Sequence, residues 1–325
     1  MIVLRRSTLK DLDAYINFAK HANLGLTSLP NNPDVLKQRL KDSEDGFKTG
    51  TFLFSLEKDG KVIGSSGIIA RQGKRYPLFT YQIRSERIKS KLLSIERFID
   101  VLHFHKVKDH PTEIISLFLD KEFREHGFGP LLSVSRFLFI STFRSHFAPL
   151  VMAELRGVSY DDGICPFWEA IGSHFFGIDF KKADYLRITK PRCIEHLFPT
   201  MPIYRDLLPY MAQKVIAQPH KNTLPAAKLL EHQGFKKTNM IDLFDAGPHY
   251  YAPTHKILAV ANAKIAKVIE INNTIESENQ TLIANRQQEF RAIHTHIIEN
   301  EKHVILSNQS AELLNVKVGD EVVLL

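Results

Sequence analysis

The sequence predicts an α/β (α+β) fold: a mixed, twisted sheet flanked by helices, with insertions and a small β-rich C-terminal appendage. Three observations carry this. Residues 113–139, EIISLFLDKEFREHGFGPLLSVSRFLF, pass from a strand-like run through a tight glycine loop into an apolar, helix-like segment. Residues 51–70 hold two apolar runs around Lys58-Asp59-Gly60-Lys61, a hairpin pattern because Asp-Gly favours a tight turn. Beyond residue 256, short β-like runs replace helical periodicity until Ala311.

In chain order, Ile2–Arg6 reads as a strand. Thr8 then caps a helix, with Asp11 three residues on and Leu12, Tyr15, Ile16 and Ala19 at helical spacing. Residues 78–110 separate the hairpin from the glycine-loop strand and read as an insertion. Leu150–Gly157 reads as another strand. Residues 158–218 form a second insertion holding the only tryptophan; its aromatics Phe167, Trp168, Phe175, Phe176 and Phe180 suit a core better than a ligand cage. Asn222–Phe235 reads as a capped helix with Pro225 in its first turn and Gly234 at its end. Met240–Phe244 follows as a strand. In the appendage, Ile257–Val260, Ala266–Ile271, His303–Leu306 and Glu321–Leu325 are β-like, and Val318-Gly319-Asp320 marks a turn. The expected division is a domain over 1–255 and a small β-rich domain over 256–325.

The chain has 325 residues, 44% hydrophobic and 24% charged, as expected of a soluble globular protein. No apolar signal core opens it, and no apolar run is long enough to span a bilayer, so a cytoplasmic location and no membrane partner are expected. Cys165 and Cys193 match no metal or redox spacing, so no metal is expected. The formal charge of +7 suits an anionic ligand as well as nucleic acid. Its densest basic run, Arg84 to Lys91, is interrupted by Glu86 and reads as a solvated face, so no nucleic-acid partner is expected.

Two glycines between a strand and a helix let the backbone approach a bound group. Their free N–H groups and the helix N-terminus favour an anion such as a pyrophosphate. The spacing Arg124-x-x-Gly127-x-Gly129 resembles the acyl-CoA loop of the GNAT superfamily of N-acyltransferases, and the order strand, helix, hairpin, strand–loop–helix resembles the start of that fold. Pro130 follows Gly129 and supplies no N–H, which removes one potential phosphate donor.

Longer strings are similar to the bacterial arginine N-succinyltransferase family. They are Gly25-Leu-Thr-Ser-Leu-Pro30, Leu117-Phe-Leu-Asp120, Leu131-Leu-Ser-x-Ser-Arg136-Phe, Ala153-Glu-x-Arg156-Gly157, Pro166-Phe-Trp168, Ala183-Asp184, Pro202-Ile-Tyr204 and Phe244-Asp245-x-Gly247-Pro248. The resemblance covers about residues 2–255 well and the appendage more loosely. It implies direct transfer of succinyl from succinyl-CoA, a co-substrate and not a tightly bound cofactor, to L-arginine, the first step of arginine catabolism by this route. It also implies a proton donor at His220, although here Pro219 precedes and Lys221 follows where the family has valine and proline. The acyl-CoA contacts it implies are Leu117, Leu119, Arg124, Gly127, Phe128 and Gly129. Some relatives form assemblies from two related chains, so a homo-oligomer or an assembly with a related chain is expected.

The chemistry needs a base for the amine, a donor to the thioester oxygen and a proton for the departing thiolate. Imidazole titrates near ~6.5 and suits the last task. Glu113 and Glu154 are candidate bases and substrate contacts. Arg156 suits a bidentate clamp on the succinyl carboxylate, or equally a structural acid. Asp161, Asp162 and Asp245 are candidate partners for a guanidinium. An acyltransferase for ornithine or another acyl-CoA, and a non-catalytic acyl-CoA or arginine sensor, are the alternative readings.

Overall fold

The computed structural model describes residues 1–21, 29–277 and 280–325. The string Gly25–Pro30 therefore lies, except for Leu29 and Pro30, outside the described residues. Ile2–Arg6 (β1) enters a turn in which the Thr8 N–H donates to Asp11 Oδ2 at 2.9 Å, and the helix Leu12–His21 follows with Tyr15, Phe18 and Ala19 buried. Thr51–Lys58 (β2) and Lys61–Ile69 (β3) form the predicted hairpin. Asp59 and Gly60 take positive φ, the backbone a two-residue turn of this hand requires.

Residues 78–110 are an ordered ribbon. Leu78–Ser90 (β4) and Ile95–Val107 (β5) pair along their full length, from Leu78 opposite Val107 to Ser90 opposite Ile95. Thr112–Leu119 (β6) leads through the glycine loop into the motif helix, Phe128–Thr142, and on to Leu150–Glu154 (β7). The second long connection holds the helices Pro166–Ala170 and Phe180–Thr189 and a two-residue strand, Ile203–Tyr204 (β8). Lys236–Ile241 (β9) and Pro248–Pro253 (β10) complete this part of the sheet.

Lys264–Asn272 (β11), Gln280–Asn285 (β12), Arg291–His296 (β13), Ile298–Asn300 (β14), His303–Ser307 (β15) and Glu321–Leu324 (β16) follow. Among the described residues all strands join one mixed sheet, in the order β14-β15-β11-β16-β12-β13-β1-β2-β3-β6-β7-β10-β9-β4-β5-β8. The C-terminal strands enter it where β13 pairs with β1.

The motif helix is apolar on nearly every side because it is covered on nearly every side. Leu131, Leu132, Phe137, Leu138, Phe139 and Ile140 are buried, and the helix touches β3 and β6 as well as β12, β13 and β16. Phe139 lies 4.9 Å from Phe52 and 5.1 Å from Phe290, ring centre to ring centre, so it ties both parts of the chain together. Burying one such ring is worth about 1.5–3 kcal/mol. A second cluster stacks Trp168 on Phe244 at 5.4 Å, as expected of core aromatics.

Several local expectations differ from the structure. Phe175 is half exposed and leaves the aromatic core. Ile257–Val260 was expected as a β-run, but Leu258–Ala261 is a helical turn that lies against the motif helix, with Ala259 buried and Val260 partly so. The strand over Met240–Phe244 ends at Ile241. Asp242 turns the chain by accepting the N–H groups of Phe244 (2.7 Å) and Asp245 (3.1 Å). The helix itself is Leu224–His232; a 3-10 turn, Lys221–Thr223, leads into it and is capped by the His220 ring, which accepts the Asn222 N–H at 3.1 Å. Cys165 is buried, while Cys193 is partly exposed.

Candidate active site

β6 is the element on which the site is built. It pairs with β7 in parallel only at Thr112–Val151 and Glu113–Met152, after which the strands part. On its other side β3 stays in register to Ile115–Gly67 and resumes at Phe118–Ser65. Ser116 and Leu117 thus oppose Ser66 alone, and Ser116 takes a φ of 56°. Such a bulge takes a residue out of the ladder and re-aims its backbone groups. A cleft of about 1140 Å³ opens at the parting and is lined by Glu113, Leu117, Ser133, Arg136, Glu154, Arg156, Arg187, Thr223, Asp242 and Asp245. Three of the expected contacts, Glu113, Glu154 and Arg156, therefore meet in one cleft with Leu117.

At the end of β6 the loop runs through a 3-10 turn, Lys121–His126, to Gly127, whose φ of 74° is left-handed. A side-chain carbon added at Gly127 or Gly129 would meet no protein atom within 4 Å. The loop and the first amides of the motif helix therefore offer an open cradle of the kind an anion takes. Arg124 is exposed, with its Nε bonded to the Leu119 carbonyl at 3.0 Å, and Phe128 stacks on His126. Leu119 and these loop residues do not line the main cleft.

The far end of the cleft is acidic. Glu113 and Glu154 lie on one face of adjacent strands, since Glu154 is two residues beyond the Met152 that faces Glu113. Burial, and next the charge of Glu154, hold the Glu113 carboxyl well above its usual range. Arg187 reaches in from the helix Phe180–Thr189, 3.0 Å from Asp242 and 3.6 Å from Glu154, with its guanidinium over the Phe244 ring. Burial works to raise Asp242, but Arg187 and two backbone N–H groups hold it low. His249, fully buried, lies 3.3 Å from Glu154.

Two of the recognised strings meet here. Gly157 and Gly247 cross so closely that a side chain on either would strike the other's backbone. The Asp245 carboxylate accepts both of their N–H groups at 2.8 Å. Burial and the neighbouring Asp242 push Asp245 up to about 8. Among the three acids considered for a guanidinium, Asp245 lines the cleft, whereas Asp161 and Asp162 are exposed and do not.

His220 is tied to this end of β7. Its N–H donates to the Arg156 carbonyl at 2.8 Å, and the hydroxyl of Thr223, a lining residue, donates to the His220 carbonyl at 2.8 Å. Because Nδ1 accepts the Asn222 N–H, the neutral ring carries its proton on Nε2. Burial, then the charges of Arg156 and Lys221, lower its pKa. The Arg156 guanidinium donates to the Ser159 hydroxyl, and its buried Nε has no partner among the described residues.

Arg187, Asp242, His249 and Arg136 were not among the expected site residues. Arg136 carried a signal, as a lone cation in an otherwise apolar helix. The others become neighbours only through packing.

A bulged strand that parts from its parallel neighbour, followed by a glycine loop opening a helix, is the arrangement of a GNAT-type acyltransferase. Within that class the chain belongs to the arginine N-succinyltransferase family. Residues 2–259 match the family described as "Arginine N-succinyltransferase beta subunit", and residues 262–325 match its C-terminal domain. The chain is 35% identical over 333 residues to the arginine N-succinyltransferase of Photorhabdus laumondii, covering 99% of this chain and 97% of the relative. It is 37% identical over 296 residues to the Pseudomonas aeruginosa arginine N-succinyltransferase subunit beta, covering 89% and 87%. The solved arginine/ornithine succinyltransferase subunit AI from P. aeruginosa superposes with a TM-score of 0.90 at 29% identity, covering 100% of this chain and 98% of that one.

Proposed function

We propose that this chain transfers the succinyl group of succinyl-CoA directly to the α-amine of L-arginine, giving N2-succinyl-L-arginine and CoA. The observation that carries this is the Ser116–Leu117 bulge, which lies just beyond the last pair of β6 with β7 and lines the cleft. The pyrophosphate sits on the 124–129 loop against the open faces of Gly127 and Gly129, and Arg124, Phe128 and Leu119 flank that end of the donor. The Leu117 N–H faces the thioester oxygen and stabilises the charge it gains. Glu113, kept basic by burial, takes a proton from the amine, with Glu154 and Arg187 shaping the acidic end that receives the substrate's guanidinium. Nitrogen bonds to the carbonyl carbon, the C–S bond breaks, and the sulfur takes a proton from the His220 Nε2 side. Arg156 binds a substrate carboxylate.

The name of the P. aeruginosa structure, arginine/ornithine succinyltransferase, supports ornithine as a second amine. Thiol release from succinyl-CoA, measured with arginine, with ornithine and with neither, and read with product mass, tests the reading. Arginine-dependent release with a product heavier by one succinyl group is the expected result. Release that no amine stimulates would reject it. Two relatives are named as subunits, which supports action in an assembly of like or related chains. We place the activity in the cytoplasm. We also assign residues 256–325 to a separate small domain, because they supply one hydrophobic cluster, around Val268, Ile283, Val304 and Leu314, in which Val3 of β1 also takes part.

A further inference from the structure

Arg136 is 2% exposed and lines the cleft, yet no acid side chain compensates it among the described residues. Its guanidinium is held by Ser133, through the carbonyl at 3.0 Å and the hydroxyl at 2.9 Å. With no counter-charge, burial lowers its pKa to about 9. A buried cation without an anion is unfavourable unless something else completes it.

Its level along the site follows from its neighbours. Leu132 is one turn earlier on the same helix face. A side-chain carbon added at Gly64 would meet Leu132 together with Leu119 and the Phe118 carbonyl, so Leu132 is level with the end of β6. The helix and β6 run in opposite directions from the loop they share. One helical turn, ~5.4 Å, matches about two residues of strand, ~6.6 Å. Arg136 therefore stands level with Leu117, on the helix side of the cleft. Arg156 differs. The acids Asp245, Asp184 and Asp161 all act on it, and Ser159 accepts from it.

We propose that Arg136 receives the distal carboxylate of the acyl group and so selects a dicarboxylic acyl-CoA. The inference rests on the acyl-transfer reading above. In a succinyl thioester only two methylenes separate the carboxylate from the carbonyl that meets Leu117, so a guanidinium at this level can reach it with a paired, charge-assisted contact. Arg156 is left for the carboxylate of the amino acid.

The test compares kcat/KM for succinyl-CoA and for butyryl-CoA, which has the same carbon chain without the charge. Wild type, Arg136→Met and Arg156→Met are measured, with thermal melts. Arg136→Met is expected to lower the succinyl-to-butyryl ratio roughly 10- to 100-fold, the size of one charged hydrogen bond, while butyryl-CoA kinetics hold. Its melt should not fall, because an uncompensated buried charge has been removed. Arg156→Met should keep the ratio and raise the KM for arginine. An unchanged ratio in Arg136→Met overturns the inference. So does an equal loss with both donors, which would put Arg136 on the CoA moiety, or a collapse confined to Arg156→Met. Arg136→Gln, a polar replacement read the same way, decides the matter if the methionine variant does not fold. A wild type that prefers neither donor overturns the functional reading and this inference with it; a preference that survives both Arg136 changes overturns this inference alone.

Discussion

His220 and Arg156 share a backbone hydrogen bond of 2.8 Å, from the histidine N–H to the arginine carbonyl. The bond fastens a loop to the end of β7. The imidazole is buried; Arg156 and Thr223, which hold its backbone, line the cleft, and His220 itself does not. Position and protonation of the ring are coupled, because Nδ1 is occupied by the Asn222 N–H.

His220→Gln is expected to lower kcat by about 10²–10⁴-fold, toward the low end, since a thiolate of pKa near ~8.5 leaves tolerably unaided. The KM for succinyl-CoA should hold. The pKa of His220 is lower folded than unfolded, so the unfolded chain binds the proton first. The stability tied to the neutral ring is complete above the ordinary histidine range and is lost as pH falls through it. His105 and His294 are shifted the same way by burial, so the quantity to measure is the difference in melting temperature between variant and wild type against pH. That difference should move in favour of the glutamine variant as pH falls. An unchanged kcat would leave solvent as the proton source.

Glu113→Gln tests the base. It should lower kcat by about 10²–10⁴-fold. Stability should move the other way. Because the folded state disfavours the ionised carboxyl, wild type loses stability as pH rises from the ordinary carboxylate range through the raised value. Melts at low and neutral pH should show the glutamine variant gaining on wild type as pH rises. Retained kcat with that same stability pattern would transfer the role to Glu154.

Gly129→Val tests the cradle without a confounding strain. Neither loop glycine has a protein atom within 4 Å of an added carbon, but Gly127 needs its positive φ and Gly129 does not. Valine is no poorer a helix former than the glycine it replaces. The variant should fold, keep its KM for arginine and raise the KM for succinyl-CoA at least tenfold by crowding the phosphates. A wild-type KM would place the pyrophosphate elsewhere.

The hairpin at Asp59-Gly60, the strand–glycine loop–helix over 112–142 and the β-rich C-terminal part were legible in the sequence. Each depends on neighbours within a few residues: a turn that needs positive φ, a helix that opens at a glycine, an apolar run. The ribbon over 78–107 was not, because β4 reaches the sheet through β9, with Tyr81 opposite Ile241. Expected ends failed where a local side chain set the boundary, as Asp242 stops β9 and the His220 ring caps a 3-10 turn, Lys221–Thr223, ahead of the helix.

For the site, the sequence by itself determined the strand–glycine loop–helix and the place of Leu117 on its strand. These lie in contiguous runs whose spacing carries the geometry. Only the tertiary structure decided that Glu113, Glu154, Arg187, Asp242 and His249 form one acidic end, that Gly157 and Gly247 cross, and that Arg136 faces the cleft without a counter-ion. The physical reason is that charge and desolvation act through space. A carboxyl is raised, or a guanidinium left uncompensated, by groups that packing brings near, and their separation along the chain holds no record of it.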